Sequence, residues 1–284
     1  MNLITKELPL THNLYLFGDS HEGSILKDKK GYAETIETIM EDPVGYAVHM
    51  GDLAEAITID DKRYSAESVD TRADVPLLQY KNAMKELKPL ADANKLLAIL
   101  AGNHDLTLAK YGNFVRDMVC SFLKVNYGTF TCKLSITNDN ARQYKLFLTH
   151  GFGSISSRAD DEIRAKATKL LSLKKKLYRK AGDCEISAMG HAHQLLTVKP
   201  SELLYLTDDG NKIHQNYTSA FYGGIEGYIP NEMKWYACTG SFYRLYEEGI
   251  SGYAERFGLD PNELGYIKVI VEDGYIQDLV EVVV

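Results

Sequence analysis

The chain reads as an α/β protein with two mixed β-sheets flanked by helices. Three observations predict this. Asn13 to Phe17, Tyr32 to Met40 and Gly45 to Met50 follow one another as strand, helix and strand, the order of a βαβ unit with parallel strands. A further apolar strand, Leu96 to Ala101, comes after a second helical stretch, so the alternation continues. From Val198 onward the apolar runs are short and separated by turn residues, which reads as a β-rich part that completes a second sheet.

Each element has its own signal. In the first helix Tyr32, Ala33, Ile36, Ile39 and Met40 share one stripe, and Asp42-Pro43 ends it. Residues 54 to 74 are polar and aperiodic, with Asp60, Asp61, Lys62 and Arg63 clustered, and read as a loop. Val75 to Leu87 is the next helix, limited by Pro89, with Leu77, Met84 and Leu87 at helical spacing. Thr107 to Leu123 is helical with a break at Tyr111 to Asn113. Phe130 to Thr137 and Tyr144 to Leu148, separated by Asn138-Asp139-Asn140, form a hairpin.

Arg158 to Lys180 is the clearest helix, with Ile163, Ala167, Leu170, Leu171 and Leu177 as its apolar stripe. Acids open it and Lys174, Lys175, Lys176, Arg179 and Lys180 close it, which complements the helix dipole, and Gly182 suits its end. The basic end reads as a solvated face, with phosphate as the other reading. Cys184 to Met189 is a strand. Leu203 to Leu206, Lys212 to Phe221, Lys234 to Thr239, Tyr266 to Val271 and Tyr275 to Val283 make up the β-rich tail. No linker or repeat divides the chain, so one domain over 1–284 is expected, its motifs within 13–193 and its second sheet completed by 194–284.

The chain has 284 residues and a net charge of −7, which argues against a nucleic-acid protein working by bulk basicity. Cys120, Cys132, Cys184 and Cys238 are scattered and read as buried thiols. No apolar run approaches a membrane span, so a soluble cytoplasmic protein is expected, with no membrane partner.

Five strand ends repeat one pattern, a turn followed or preceded by ligand-type residues. They are Gly18-Asp19-Ser20-His21, Gly51-Asp52, Gly102-Asn103-His104-Asp105, Thr149-His150-Gly151 and Gly190-His191-Ala192-His193. Asp19 and His21 point to one side of an extended chain, as do His191 and His193. In parallel sheets, ligands gather at the carboxyl ends of strands. Five of the eight histidines belong to this set. Its donors are nitrogen and oxygen without thiolate, which suits manganese, iron, zinc, cobalt or nickel. There are too many for one tetrahedral ion and enough for two, with a carboxylate able to bridge. His12, His49 and His214 fall outside and read as structural or surface residues.

The order G-D-x-H, G-D, G-N-H-D, H, G-H-x-H resembles the calcineurin-like metallophosphoesterases over Gly18 to His193. The resemblance implies a four-layer α/β/β/α sandwich holding two divalent cations, manganese first among the candidates. It implies Asp19, His21 and His193 on one cation, Asn103, His150 and His191 on the other, and Asp52 bridging. His104 would face the substrate phosphate as a catalytic residue without binding metal, and Asp105 would orient it and favour its charged form. The reaction implied is hydrolysis of a phosphoester by activated water, with His104 stabilising the phosphate and protonating the leaving oxygen. Where many relatives carry an Asn-Pro-Gly-Ser turn, this chain has Cys238-Thr239-Gly240-Ser241.

The reading is a phosphodiesterase or phosphatase acting on a small nucleotide-like substrate. One alternative is a manganese-dependent DNA nuclease, supported by the Lys174 to Lys180 cluster and by the aromatics Tyr217, Phe221, Tyr222, Tyr228, Trp235, Phe242 and Tyr243, which read first as sheet packing. Nucleic acid is thus a secondary candidate partner. The other alternative is a non-catalytic interaction module on the same fold, which the complete ligand set disfavours.

Overall fold

The computed structural model describes residues 1–61, 64, 66–73, 75–218, 227–250 and 253–284. Lys62, Arg63, Phe221 and Tyr222, named above, and the last residue of the 54–74 stretch lie outside them. The chain begins with β1 (Asn2–Glu7), β2 (His12–Phe17), α1 (Lys29–Glu41) and β3 (Gly45–His49). Then come α2 (Pro76–Asp92), β4 (Leu96–Ile99), a 3-10 turn (Asp105–Tyr111) and a π turn (Val115–Cys120) that runs into α3 (Ser121–Leu123). β5 (Asn126–Tyr127), β6 (Thr131–Asn138), β7 (Ala141–Thr149), α4 (Glu162–Leu177) and β8 (Ile186–Met189) follow. The remainder is β9 (Leu195–Val198), β10 (Leu204–Asp208), β11 (Ile213–Tyr217), β12 (Trp235–Thr239), α5 (Tyr253–Arg256), β13 (Gly265–Glu272) and β14 (Tyr275–Val283).

Two six-stranded mixed sheets form, ordered β14-β13-β2-β3-β4-β5 and β1-β6-β7-β8-β12-β9, and β10-β11 is a separate two-stranded ribbon. The alternation of side chains along a strand explains the layers. Leu14 and Leu16 of β2 point between the sheets, where they meet Leu134, Leu146, Ala188 and Ile267. Tyr15 and Phe17 point the other way, into a core with Tyr32 and Ile39 of α1 and Tyr80 and Leu87 of α2. On the far side Phe147, Met189 and Tyr236 pack under Leu173 and Leu177 of α4. Helix, sheet, sheet and helix therefore stack in the expected α/β/β/α order. Among the described residues no helix is long and apolar enough to cross a membrane.

Three expectations need correction, and one strand has no sequence signal. The tail does not simply complete the second sheet: β9 and β12 join it, whereas β13 and β14 extend the first by pairing with β2. β2, buried on both faces, needs partners on both edges, and β13 takes its free one. α2 does not stop before Pro89 but runs one turn past it to Asp92. The proline forfeits only its own bond to the carbonyl four residues back, and the turn continues because Leu87 and Leu90 are both buried in the core. The stripe on α4 holds only in part: Leu177 is buried and Leu170 packs against the same core, but Leu173 is buried in place of Ile163 and Leu171, exposed at 81% and 69%. Finally, β1 pairs in parallel with β6, although its residues carry little periodicity. An edge strand that buries only Ile4 needs little. The four cysteines are free and buried.

Candidate metal centre

The strand ends of both sheets converge. After β2 the chain turns at Gly18, where a Cβ would meet Met50 N at 2.9 Å, so only glycine lets the β2 and β3 ends run this close. The two loops then pair: Asp19 N donates to Gly51 O at 2.9 Å and His21 N to Asp52 O at 3.1 Å. At Gly102 a Cβ would sit 1.9 Å from Asp52 Oδ1, and at Gly190 it would sit 2.6 Å from Asp19 Oδ2. These glycines leave room for the carboxylates. The turn after β12 closes the cage from behind, with Phe242 N donating to Asp19 O at 3.1 Å.

Asp19, His21, Asp52, His191 and His193 all have positive φ, between 46° and 64°. This left-handed conformation costs an L-residue on the order of 1 kcal/mol, and residues held there cluster at functional sites. Five of the seven sequence-derived ligand candidates are held in it.

Three groups have donor atoms within 4.8 Å of one another: Asp19, His21 and His193; His21, Asp52 and His104; and Asp52, His150 and His191. Asn103 Oδ1 lies 2.6 Å from His191 Nδ1 and 2.9 Å from His150 Nε2, so it belongs with the third group. The seven residues named from the sequence as ligands thus share one site. His104 shares it too, through the second group, where the sequence reading put no ligand.

The donor chemistry fits divalent cations. His21 donates from Nδ1 to the Glu55 carboxylate at 2.8 Å, and its buried Nε2 has no hydrogen-bond partner. An unpaired buried nitrogen is costly, and a histidine held by a carboxylate through one nitrogen is the usual arrangement of a metal ligand. His150 is oriented in the same way, with Nδ1 donating to Met50 O at 3.0 Å and Nε2 3.3 Å from Asp52 Oδ2.

With protons alone in the cage, its charges pair. Burial opposes the charged form of His150, but Asp52 outweighs it and lifts the imidazole to about 9. Burial likewise opposes His21, and its bond to Glu55 lifts it to about 8. His191 is pushed down to about 4, by burial first and then by the His150 charge. Asp52 is desolvated, yet the charges of His150 and His104 hold it well below the usual carboxylate range.

Asp105 does not orient His104. Its carboxylate accepts from Gly102 N at 2.8 Å, Tyr80 Oη at 3.1 Å, Leu53 N at 3.3 Å and Ala54 N at 3.4 Å. It ties the β4 loop to the β3 loop, and burial together with the Asp52 charge pushes it up to about 6. The orienting contact comes from Glu55, whose main-chain oxygen accepts from His104 Nδ1 at 2.8 Å. Sequence reasoning missed Glu55. The only signal for it was an acid three residues after Asp52 in a stretch taken as loop.

The other histidines have separate partners. His12 bridges Pro9 O and Tyr144 Oη, both at 2.7 Å, and His214 meets Asp209 on the surface at 2.9 Å. His49 is buried beneath the site and accepts from Gly51 N at 3.3 Å. Among the described residues the aromatic stretch forms no single surface: Phe242 is core, Trp235 packs against the core, and Tyr217 and Tyr228 are exposed. Tyr243 lies over the site, its ring 4.7 Å from that of His21. A cavity of about 480 Å³ opens over these groups, with Ile57, Tyr243, Leu245 and Leu259 as its less polar wall.

No family model matches the chain, and no curated protein matches it. Among solved structures the chain is similar to a conserved uncharacterized protein, a predicted phosphoesterase, from Streptococcus pneumoniae TIGR4. The two are 13% identical, with 95% of this chain and 90% of that one covered and a TM-score of 0.34.

Proposed function

We propose that the chain is a metal-dependent phosphoesterase, a hydrolase of phosphodiesters or phosphomonoesters with a nucleotide-like substrate. The observation that carries this reading is the buried Nε2 of His21, which has no hydrogen-bond partner, among converging carboxylates and imidazoles. In this reading Asp19, His21 and His193 hold one divalent cation, Asn103, His150 and His191 hold another, and Asp52 spans both. Manganese is the first candidate, since the donors are mixed nitrogen and oxygen. Bound there, the cations supply charge neutralisation at a phosphoryl group and acidify water.

The protein's own groups do the rest. The Glu55 main-chain oxygen fixes His104 by accepting a hydrogen bond from its Nδ1–H. That leaves Nε2 as the atom that meets the phosphate and passes a proton to the departing oxygen. Asp105 has a positioning role, holding the His104 loop on the Asp52 loop through Gly102 and Leu53. Tyr243, Leu245, Leu259 and Ile57 give the leaving group an apolar wall.

The test is metal analysis of the purified chain followed by assay with manganese against mono-, di- and cyclic phosphoesters and DNA. Turnover of bis(p-nitrophenyl) phosphate that is lost on chelation and restored by manganese is the expected result. Metal-independent turnover, or no turnover of any phosphoester, would overturn the reading. Degradation of DNA without turnover of the small diester would favour the nuclease alternative.

A further inference from the structure

The basic end of α4 plays no part in the metal cage, yet it touches the wall of the cavity. Lys174, Lys175 and Lys176 occupy its last turn, and Arg179 and Lys180 follow. The neighbouring acids are spent elsewhere: Asp183 pairs with Lys133 and Lys145, and Glu281 with Lys166. Among the described residues no carboxylate neutralises these five cations. In a chain of net charge −7, they form a local reversal of sign.

Phe152 connects this cluster to the site. It lies two residues after His150 and is 50% exposed. Lys176 Nζ stands 4.6 Å and Lys180 Nζ 4.2 Å from its ring centroid. Lys176 Nζ also donates to Phe152 O at 2.9 Å. The next residues, Gly153 and Ser154, line the metal cavity. A Cβ on Gly153 would lie only 3.2 Å from the Lys176 ammonium, so that ammonium stands directly against the cavity wall. Two ammoniums gathered this closely repel. Here the electron-rich ring offsets the repulsion and holds both ammoniums beside Phe152, next to the Gly153–Ser154 wall of the cavity. Lys180 is held below the usual lysine range by partial burial and by Lys176, as expected for two cations gathered without an anion.

We propose that Lys176 and Lys180, gathered by Phe152, form a second phosphate subsite at the rim of the metal cavity, so that the preferred substrate carries a second phosphate beyond the scissile one. The chemistry recognised is a phosphodiester or pyrophosphate group beside the reacting one. A single-stranded nucleotide chain and a nucleotide with a polyphosphate chain both supply it. The kinetic consequence rests on the phosphoesterase reading, whereas binding does not.

The experiment compares the full-length chain with its K176Q/K180Q variant in two arms. In the first, with manganese, kcat/KM is measured on bis(p-nitrophenyl) phosphate, on an oligothymidylate of about ten nucleotides, within the span of one single-strand site, and on a diadenosine polyphosphate. The ratio of kcat/KM on a multi-phosphate substrate to that on the one-phosphate ester should fall about tenfold in the variant. The substrate on which it falls identifies the source of the second phosphate. In the second arm, without metal, fluorescence anisotropy follows binding of labelled oligothymidylate and labelled nucleotide polyphosphate at several salt concentrations. For the strand, loss of two cations should reduce the slope of log affinity against log salt by about 1.4. Equal losses on all substrates, or binding that ignores the substitution, would overturn the subsite while leaving the hydrolase intact. Lysine-dependent binding without any turnover would sink the hydrolase reading and keep the subsite. Neither binding nor turnover would overturn both.

Discussion

Glu55 accepts a hydrogen bond from His21 Nδ1 on its carboxylate at 2.8 Å, and with its main-chain oxygen it also holds His104. One residue thus sets the direction of a candidate cation ligand and of the candidate proton donor. Removing the carboxylate frees His21 Nδ1 but leaves the main-chain contact to His104, which then loses only the Glu55 charge 3.7 Å from its Nδ1. Glu55→Ala should weaken cation affinity by about 10- to 100-fold. Titration calorimetry with manganese checks this, and an unchanged affinity would mean that the carboxylate is not needed to aim His21.

His104→Ala should keep the metal content of the wild type and lower turnover by about 10²- to 10⁴-fold, the usual weight of a general acid. Elemental analysis beside the kinetics separates the outcomes. A lost ion in that variant would make His104 a ligand, as its place in the second donor group allows. Asp52→Ala should instead deplete both ions.

Loading with cations should release protons. His21 and His150, lifted to about 8 and about 9, are mostly protonated at pH 7. A histidine must be neutral to coordinate, so binding should release up to about two protons per chain, and affinity should rise with pH until both imidazoles are neutral. An indicator dye in weak buffer measures this. Cation binding with no acidification would place the ions elsewhere.

Gly102→Ala should empty the site without unfolding the protein. The added methyl would stand 1.9 Å from Asp52 Oδ1 and 2.3 Å from Asp52 N, so the β3 and β4 loops have to move apart, at a cost of about 1–3 kcal/mol. Far-ultraviolet circular dichroism should be retained while metal content and activity drop. A variant that loads metal normally would show that the cage has slack.

Asp183 supplies a test of stability far from the cage. It lies between Lys133 Nζ at 2.6 Å and Lys145 Nζ at 2.9 Å. Although burial opposes its charge, these partners hold the carboxyl well below the usual range. A carboxylate whose folded pKa is depressed stabilises the fold above the unfolded value, near 3.9, and loses that effect as pH falls through the folded one. Asp183→Asn should therefore cost about 1 kcal/mol at pH 7. The gap should narrow below about pH 4 in urea titrations. A gap that stays constant down to pH 2 would point to packing rather than charge.

Much of the arrangement was legible because the informative residues sit at strand ends. Asp19, Asp52, His104 and His150 each follow an apolar run, and a buried strand that opens onto ligand-type residues is a signal that sequence alone carries. The layers were legible for the same reason: Leu14 and Leu16 against Tyr15 and Phe17 mark a strand buried on both faces. What stayed hidden depends on contacts distant in sequence. β1 earns its place from β6, which lies more than a hundred residues away. The membership of β13 and β14 was decided by the open edge of β2, not by their own pattern. Glu55 and Asp105 could not be told apart by type, since both are acids beside a motif, and only the fold decides which of them reaches His104.

The left-handed backbone at Asp19, His21, Asp52, His191 and His193 has a consequence for the history of the molecule. Glycine would relax each of these positions, so a lineage that no longer needed the cage would become sturdier by discarding it. Selection for robustness and selection for chemistry pull in opposite directions at these five places. A relative with the same layers and glycines here would be expected to melt later and to have given up its cations.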